Sequence, residues 1–243
     1  MNKNHNFGYT KVGAKQKTKL VQNVFSRVAV NYDNMNDFMS LGMHRLWKKR
    51  FVEIIDCNNN ENILDVGSGS GDIAFEITKT KIPVYLNLLD LNKEMLKEGE
   101  KRFKNRKNIK FIIGNGENLK FKSNYFDKYA ISFCLRNITN FVLSIKEAHR
   151  VLKPGGKYCC LEFSSPKSSL MSNTYKIYKS NILPYLGEVV AKDKDAYKYL
   201  SESIDLFPNQ QELEKILISC GFINVRSINL FNGIVSIHTG YKI

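Results

Sequence analysis

Short apolar runs recur along the chain, separated by stretches with helical spacing. Ile63-Leu64-Asp65-Val66 breaks into the turn Gly67-Ser68-Gly69-Ser70-Gly71-Asp72, and Ile73 to Lys79 then reads as a helix. Val84-Tyr85-Leu86-Asn87-Leu88-Leu89 is a second strand ending on Asp90, followed by a helix through Met95-Leu96-Lys97-Glu98. Ile109 to Ile113 and Phe126 to Phe133 are the third and fourth strands. With Thr139 as its N-cap, the next helix carries Phe141, Ile145, Ala148 and Leu152 and stops at Lys153-Pro154-Gly155-Gly156; Lys157 to Phe163 is the fifth strand. This alternation predicts an α/β fold with a parallel, doubly wound sheet.

The rhythm changes near the C-terminus. Pro208 to Cys220 reads as a helix ended by Gly221, and the runs Phe222 to Leu230 and Gly233 to Tyr241 are joined through Phe231-Asn232-Gly233. So short a link makes a hairpin, not a crossover. The expected sheet is therefore seven-stranded and mostly parallel, with one antiparallel strand near an edge and helices on both faces. Two segments stand outside it. Residues 1–60 hold an amphipathic helix from Lys19 to Val30 and an aromatic, basic stretch from Tyr32-Asp33 to Arg50. Residues 164–208 carry Tyr175, Tyr178, Tyr185, Tyr197 and Tyr199. Such segments beside the carboxyl edge of a sheet build pockets. The chain reads as a single domain over 1–243, with an N-terminal helical cap at 1–60 and a substrate-pocket insertion at 164–208.

The glycine turn is where chemistry enters. Gly67, Gly69 and Gly71 let the backbone approach a ligand with no Cβ in the way, and Asp90 at the end of the next strand can accept hydrogen bonds from both hydroxyls of a ribose. A dinucleotide fingerprint places its third glycine at position 72, where this chain has Asp72. A carboxylate there repels pyrophosphate at a helix N-terminus that otherwise attracts it, whereas a cationic sulfonium tolerates it. The pattern D-x-G-x-G-x-G from Asp65 to Gly71, with the distal Asp90, resembles the class I S-adenosylmethionine (SAM) methyltransferase signature. The antiparallel strand agrees with that topology rather than the dinucleotide one.

Charge and cysteines narrow the setting. Lys and Arg number 37 against 23 Asp and Glu among 243 residues, a formal net charge of +14. That excess suits a polyanion, nucleic acid or an anionic membrane face, and it also follows from the general abundance of Lys, Asn and Ile here. Cys57, Cys134, Cys159, Cys160 and Cys220 are odd in number and lack C-x-x-C spacing, against a disulfide frame or a zinc site. Cys159 and Cys160 on one strand face opposite ways. No apolar run reaches the roughly 18–20 residues that span a bilayer, and the polar N-terminus has no signal-peptide core, so a soluble or peripheral protein is expected.

A more specific likeness lies in the outer segments. Val24-Phe25-Ser26, Tyr32-Asp33, Met35-Asn36-Asp37, Met39-Ser40 and His44-Arg45-x-Trp47-Lys48 make the first group of matches. Arg136-Asn137-Ile138-Thr139, Arg150 to Lys157 and Leu161-Glu162-Phe163-Ser164 make the second. The third comprises Ile182-x-Pro184-x-x-Gly187, Tyr197-x-Tyr199-Leu200-x-Glu202-Ser203-Ile204, Phe207-Pro208 and Gly233-Ile234-Val235-x-Ile237-His238-x-Gly240. Together they strongly resemble the UbiE-type C-methyltransferases of ubiquinone and menaquinone biosynthesis, over nearly the whole chain from Phe7.

The resemblance implies SAM as cofactor and a polyprenylated quinol, a benzoquinol or demethylmenaquinol, as substrate, methylated on a ring carbon without a metal. It implies cofactor contacts from Asp65, Gly67, Gly69, Ser70, Asp90, Asn115, Gly116 and Ser132, with a backbone contact at Gly116, where relatives often carry Ala. It gives Arg136 and Asn137 the catalytic positions: Arg136 stabilises a developing phenolate or holds a water, and Asn137 helps fix that water. The alternative for Arg136 is a salt bridge to an acid of the inserted region. His149 and His238 read as structural, His44 as binding or packing more than catalysis, and Asp33 and Asp37 as cap or proton carriers. A polyprenyl tail implies a membrane surface: the cytoplasmic face of the inner membrane in a bacterium, the matrix side of the mitochondrial inner membrane in a eukaryote. A quinone-biosynthesis complex and a homodimer are the protein associations it allows, with no nucleic acid. Two other readings stay open, an inactive SAM-fold scaffold of a quinone-synthesis complex and a methyltransferase of another hydrophobic or RNA substrate.

Overall fold

The computed structural model describes residues 4–29, 32–168, 175, 177–178 and 194–243, with only the backbone of 32–34 and 194. Tyr185, the side chain of Asp33 and the 182–187 match lie outside the described residues.

A small hairpin, β1 (His5–Phe7) and β2 (Thr10–Val12), opens the chain, followed by α1 (Ala14–Val28), α2 (Tyr32–Ser40) and α3 (Met43–Ile55). The alternating core runs β3 (Asn62–Val66), α4 (Asp72–Lys79), β4 (Tyr85–Asp90), α5 (Lys93–Arg102), β5 (Ile109–Ile113), β6 (Phe126–Ser132), α6 (Phe141–Val151) and β7 (Leu152–Phe163). Then come α7 (Lys194–Asp205), α8 (Gln210–Ser219), β8 (Ile223–Leu230) and β9 (Val235–Tyr241). The main sheet has the order β5-β4-β3-β6-β7-β9-β8. Its first five strands pair in parallel, and β9 runs antiparallel to both β7 and β8. This is the expected seven-stranded sheet, with the hairpin inserting its second strand inside the edge.

Successive strand residues feed opposite cores because side chains alternate across a sheet. Ile63, Leu88, Cys159 and Leu161 pack with Trp47, Phe51 and Ile55 of α3 and Ile73 and Ile77 of α4. Leu64, Leu89, Tyr158 and Cys160 pack with Ile145 and Ala148 of α6 and Leu213 and Leu217 of α8. The adjacent Cys159 and Cys160 thus enter different cores, as their alternation predicts. His238 is 1% exposed with its Nε2 against the carbonyl of Gln210, and His149 packs edge-on to Phe222; both are structural.

The segment 1–60 divides. Its helix α3 belongs to the sheet's own layer, while Val24 and Val28 of α1 and Met35 of α2 cluster with Ala196, Tyr197 and Tyr199 of α7. The two outer segments therefore meet over the carboxyl edge of the sheet. Phe7 of the hairpin stacks on Tyr199 at 4.3 Å, and the backbone N–H of Tyr9 donates to Glu202 at 3.0 Å.

Several boundaries differ from expectation. The first helix begins at Ala14, not Lys19, because Gly13 stands outside it as its N-cap. Asn140, not Thr139, caps α6: its side chain accepts from the N–H of Leu143 at 3.1 Å, while the Thr139 hydroxyl is taken by Thr18 at 2.9 Å. That helix ends at Val151, and Leu152 already pairs with Phe126, so β7 includes the Lys153-Pro154-Gly155-Gly156 stretch as an irregular start. The last helix starts at Gln210, closed by a reciprocal capping box between Asn209 and Glu212.

Candidate active site

The glycine turn after β3 is stitched to the end of β4. Gly67 N–H donates to Leu89 O at 2.7 Å and Gly69 N–H to the Asp90 carboxylate at 2.9 Å, while Asn92 N–H donates to the other Asp90 oxygen at 2.7 Å. Each Asp90 oxygen keeps acceptor capacity for a further donor. Burial pushes the Asp90 carboxyl up, and the N–H groups of Asn92 and Gly69 work against that. Gly67 has φ +66°, and a Cβ there would lie 2.0 Å from Cys134 Sγ; at Gly69, φ +55°, it would lie 2.9 Å from Met95 Cε. Only glycine lets the turn close on these walls.

Above this turn lies a cavity of about 110 Å³. Six of the expected cofactor residues line it: Gly67, Gly69, Asp90, Asn115, Gly116 and Ser132. Asn115 spends its Oδ1 on the N–H of Glu117 at 2.9 Å, which fixes the loop after β5. A Cβ on Gly116 would stand 3.0 Å from Val66, so this position offers backbone alone. Asp65 and Ser70 do not line the cavity. Asp65 is 1% exposed, and neither of its carboxylate oxygens has a hydrogen-bond partner among the described residues. Burial, and then the neighbouring Asp90 and Asp72, push its carboxyl well above the usual range. The hydroxyls of Ser68, Ser70 and Ser132 are likewise buried without a partner among the described residues. The acceptor capacity left on Asp90 and the unpartnered hydroxyl of Ser132, beside the Cβ-free positions Gly67 and Gly69, fit a polar ligand bearing ribose hydroxyls and positive charge.

The negative charge of Asp72 is offset by two cations, which weakens the repulsion of phosphate expected at this helix start. Its carboxylate pairs with Lys48 of α3 and, at 2.6 Å, with Arg102 of α5. Burial opposes ionisation there, but the two cations outweigh it and hold the carboxyl at about 2. A carboxyl depressed below its unfolded value of about 3.9 stabilises the fold by about 2 kcal/mol at neutral pH. This contribution is complete above about pH 4 and lost as pH falls through about 2. Thermal melts of the native chain and Asp72→Asn are expected to differ at pH 7 and to converge as pH is lowered from 4; a constant gap would contradict the pairing.

Residues of α1 also line this cavity, which the sequence did not signal: Thr18, Gln22 and Phe25. The Asn92 side chain ties α1 down by donating to Gln22 O at 3.1 Å and to the Ser26 hydroxyl at 2.9 Å.

Next to it is a second cavity of about 370 Å³, walled by apolar and aromatic side chains including Val24, Met39, Trp47, Phe163, Tyr175 and Tyr197. Phe25, Phe133 and Asn137 line both cavities. Phe133 has φ +51°, a strained conformation for an aromatic residue. Its carbonyl accepts from Arg136 Nη1 at 2.7 Å and from Asn137 Nδ2 at 3.3 Å. Asn137 Oδ1 in turn accepts from the Tyr199 hydroxyl at 3.0 Å.

Arg136 also lines the apolar cavity and is 9% exposed. Its Nη1 donates to Glu162 Oε1 at 2.7 Å, and its guanidinium lies 5.2 Å from the centre of the Phe163 ring. The acid comes from β7, not from the inserted region. Glu162 is 0% exposed; burial pushes its carboxyl up while Arg136 pulls it down. On the same cavity, His44 Nε2 lies 2.8 Å from Asp37, whose carboxylate also holds Arg45 at 2.6 Å. Arg45 first, then His44, hold Asp37 well below the usual carboxylate range. Burial lowers the His44 pKa, Lys48 adds to this, and Asp37 opposes it, so the imidazole is neutral at pH 7.

A sheet of this order, with a glycine turn stitched to an acid at the end of the next strand, defines a class I SAM-dependent methyltransferase. Solved structures share the fold. A SAM-dependent methyltransferase from Thermotoga maritima, a possible histamine N-methyltransferase, superposes with a TM-score of 0.66 at 17% identity, over 92% of this chain and 100% of that one. A Haemonchus contortus phosphoethanolamine N-methyltransferase bound to S-adenosylhomocysteine gives 0.62 at 15% identity, over 80% of this chain and 52% of that one. A sequence profile of the ubiE/COQ5 methyltransferase family matches residues 11–242, and the chain belongs to that family. It is 48% identical to the ubiquinone/menaquinone biosynthesis C-methyltransferase UbiE of Rickettsia prowazekii (strain Madrid E), over 99% of each chain. Its cofactor is SAM.

Proposed function

We propose that this enzyme methylates a ring carbon of a polyprenylated quinol, a benzoquinol or a demethylmenaquinol, at a membrane surface. The observation that carries the reading is the shared wall: a polar, acid-bearing cavity and an apolar, aromatic one meet at Phe25, Phe133 and Asn137. Asp90, the glycine turn and Asn115 hold the cofactor on one side, and the aromatic cavity takes a quinol ring on the other. SAM supplies an electrophilic methyl group. An aromatic carbon attacks it only when enriched in electrons, as it is once a neighbouring ring hydroxyl loses its proton.

Residues of the second cavity serve that step. Arg136, always charged and oriented by Glu162, stabilises the phenolate as it forms. Asn137, fixed by Tyr199 and by the Phe133 carbonyl, positions the ring against the shared wall. His44, neutral and backed by Asp37, is the lining imidazole that can take the hydroxyl proton. Replacing it, His44→Asn, is expected to lower kcat about a hundredfold with SAM affinity unchanged. In the native enzyme kcat is expected to fall with acid, with a midpoint below the ordinary imidazole value of about 6.5. Besides burial, Lys48, Asp37 and Asp72 are the charged groups that set this midpoint. A pH–rate profile unaltered by the substitution would remove His44 from the step.

The substrate's tail and the net charge of +14 support work at an anionic membrane face, the cytoplasmic side of a bacterial inner membrane or the matrix side of the mitochondrial one. A homodimer and a complex with other quinone-synthesis enzymes rest on the family resemblance alone. Expression in a host lacking quinone ring methylation, followed by mass analysis of its quinones, tests the function. Recovery of the methylated quinone is expected, and continued accumulation of the demethyl precursor would oppose it.

A further inference from the structure

Leu41 lines the mouth of the apolar cavity and is 87% exposed. Phe38, 51% exposed, and Leu46, 60% exposed, flank it in sequence, at the corner where α2 turns into α3. Leu41 has φ +49° and Gly42 φ +76°, a tight turn that places Leu41 between the two helices. On α3 the positions His44, Trp47, Lys48 and Phe51 are buried, leaving Leu46, Lys49 and Arg50 exposed on the other side. From residue 38 to residue 50 the chain carries Arg45, Lys48, Lys49 and Arg50; Arg45 pairs with Asp37, Lys48 with Asp72 and, at the surface, Arg50 with Glu53 at 2.8 Å, while Lys49 is exposed beside Leu46.

We propose that this α2–α3 corner is a wedge that inserts into an anionic lipid bilayer and sets the mouth of the apolar cavity at the lipid surface. The inference rests on the proposed quinol substrate for its purpose, but not for its test. Three large apolar side chains exposed along the nine residues of this corner lose contact with water on entering the acyl boundary. Lys49 and Arg50, beside Leu46 on α3, stand where lipid phosphates lie when the wedge is inserted. Such a seat solves a problem of access: a polyprenyl tail stays in the membrane while its ring crosses an apolar lip, Leu41, into the cavity. A bilayer fits this lip better than a protein partner does, because the exposed apolar residues form the mouth of a cavity and basic side chains accompany them.

The test uses the full chain with sedimented vesicles of pure phosphatidylcholine and of phosphatidylcholine mixed with phosphatidylglycerol. The native chain is expected to bind the mixed vesicles, less tightly as salt rises. The variant Phe38→Ser/Leu46→Ser is expected to bind at least about tenfold more weakly at every salt concentration. Lys49→Glu is expected to lose the preference for anionic vesicles. Neither variant alters a residue of the two cavities, so both are expected to methylate a short-tailed, water-soluble quinol at the native rate. With a long-tailed quinol in vesicles the apolar variant falls behind. Equal vesicle binding by the native chain and the apolar variant would overturn the wedge, as would a native chain that binds neither vesicle. If the native chain methylates neither quinol, the proposed substrate fails, while the vesicle comparison still decides the wedge.

Discussion

Arg136→Ala is expected to abolish methyl transfer and to destabilise the fold, and the two effects have different origins. Its partner Glu162 is 0% exposed, so removing the guanidinium strands a carboxylate in the core. Breaking a buried pair from one side costs about 3–5 kcal/mol. The alanine variant therefore confuses a lost charge with a damaged site, and a paired replacement separates them. Arg136→Gln/Glu162→Gln leaves no lone buried charge and keeps hydrogen-bonding groups at both positions. It is expected to recover most of the stability and near-native SAM affinity while kcat stays about a thousandfold down, because a neutral amide cannot stabilise a phenolate. Arg136→Lys should recover little, since one ammonium cannot hold Glu162 and the Phe133 carbonyl with the geometry of the guanidinium. Thermal melts, SAM titration and single-turnover methylation read the three quantities. Turnover restored in the double glutamine variant would reduce Arg136 to a structural part.

The second large effect falls on cofactor affinity. In the proposed complex the Asp90 carboxylate accepts two charge-assisted hydrogen bonds from the ribose hydroxyls, worth about 4 kcal/mol together, so Asp90→Ala is expected to raise the Kd for SAM about a thousandfold. Some of that loss comes from the turn itself, because the carboxylate also receives the N–H groups of Gly69 and Asn92. Asp90→Asn keeps the shape and one acceptor and is expected to lose only about tenfold to thirtyfold. Calorimetric titration of folded variants measures both, and unchanged affinity in Asp90→Ala would remove the carboxylate from the cofactor site.

The sheet and the glycine turn were legible because their signals are local. A turn of alternating glycines, an acid closing the next apolar run and a three-residue link between the last two strands each constrain the backbone by themselves. The N-terminal hairpin was not legible, since three-residue strands carry no period and this one is held by Tyr199 and Glu202 far along the chain. Helix α1 shows that amphipathicity reveals a buried face without its partner: Thr18, Gln22 and Phe25 have no distinctive spacing, yet they close the cofactor cavity. At α6 the two adjacent cap residues competed, and Thr139 was already bound to Thr18. The Arg136–Glu162 pair lay in the topology rather than in either motif. Ser132 of β6 aligns with Leu161 of β7, so the residues just past that pair, Arg136 and Glu162 among them, meet at the carboxyl edge. Asp65, on β3, and Ser70, in the turn, sit in the matching motif but are buried and do not line the cavity.

Single-turnover reaction of the purified enzyme with SAM labelled in its methyl carbon and a short-tailed demethyl quinol tests the central claim most directly. One labelled methyl per quinol is expected, bonded to a ring carbon in the product's carbon spectrum. Label on a ring oxygen, or bound SAM with no transfer to the quinol, would contradict it.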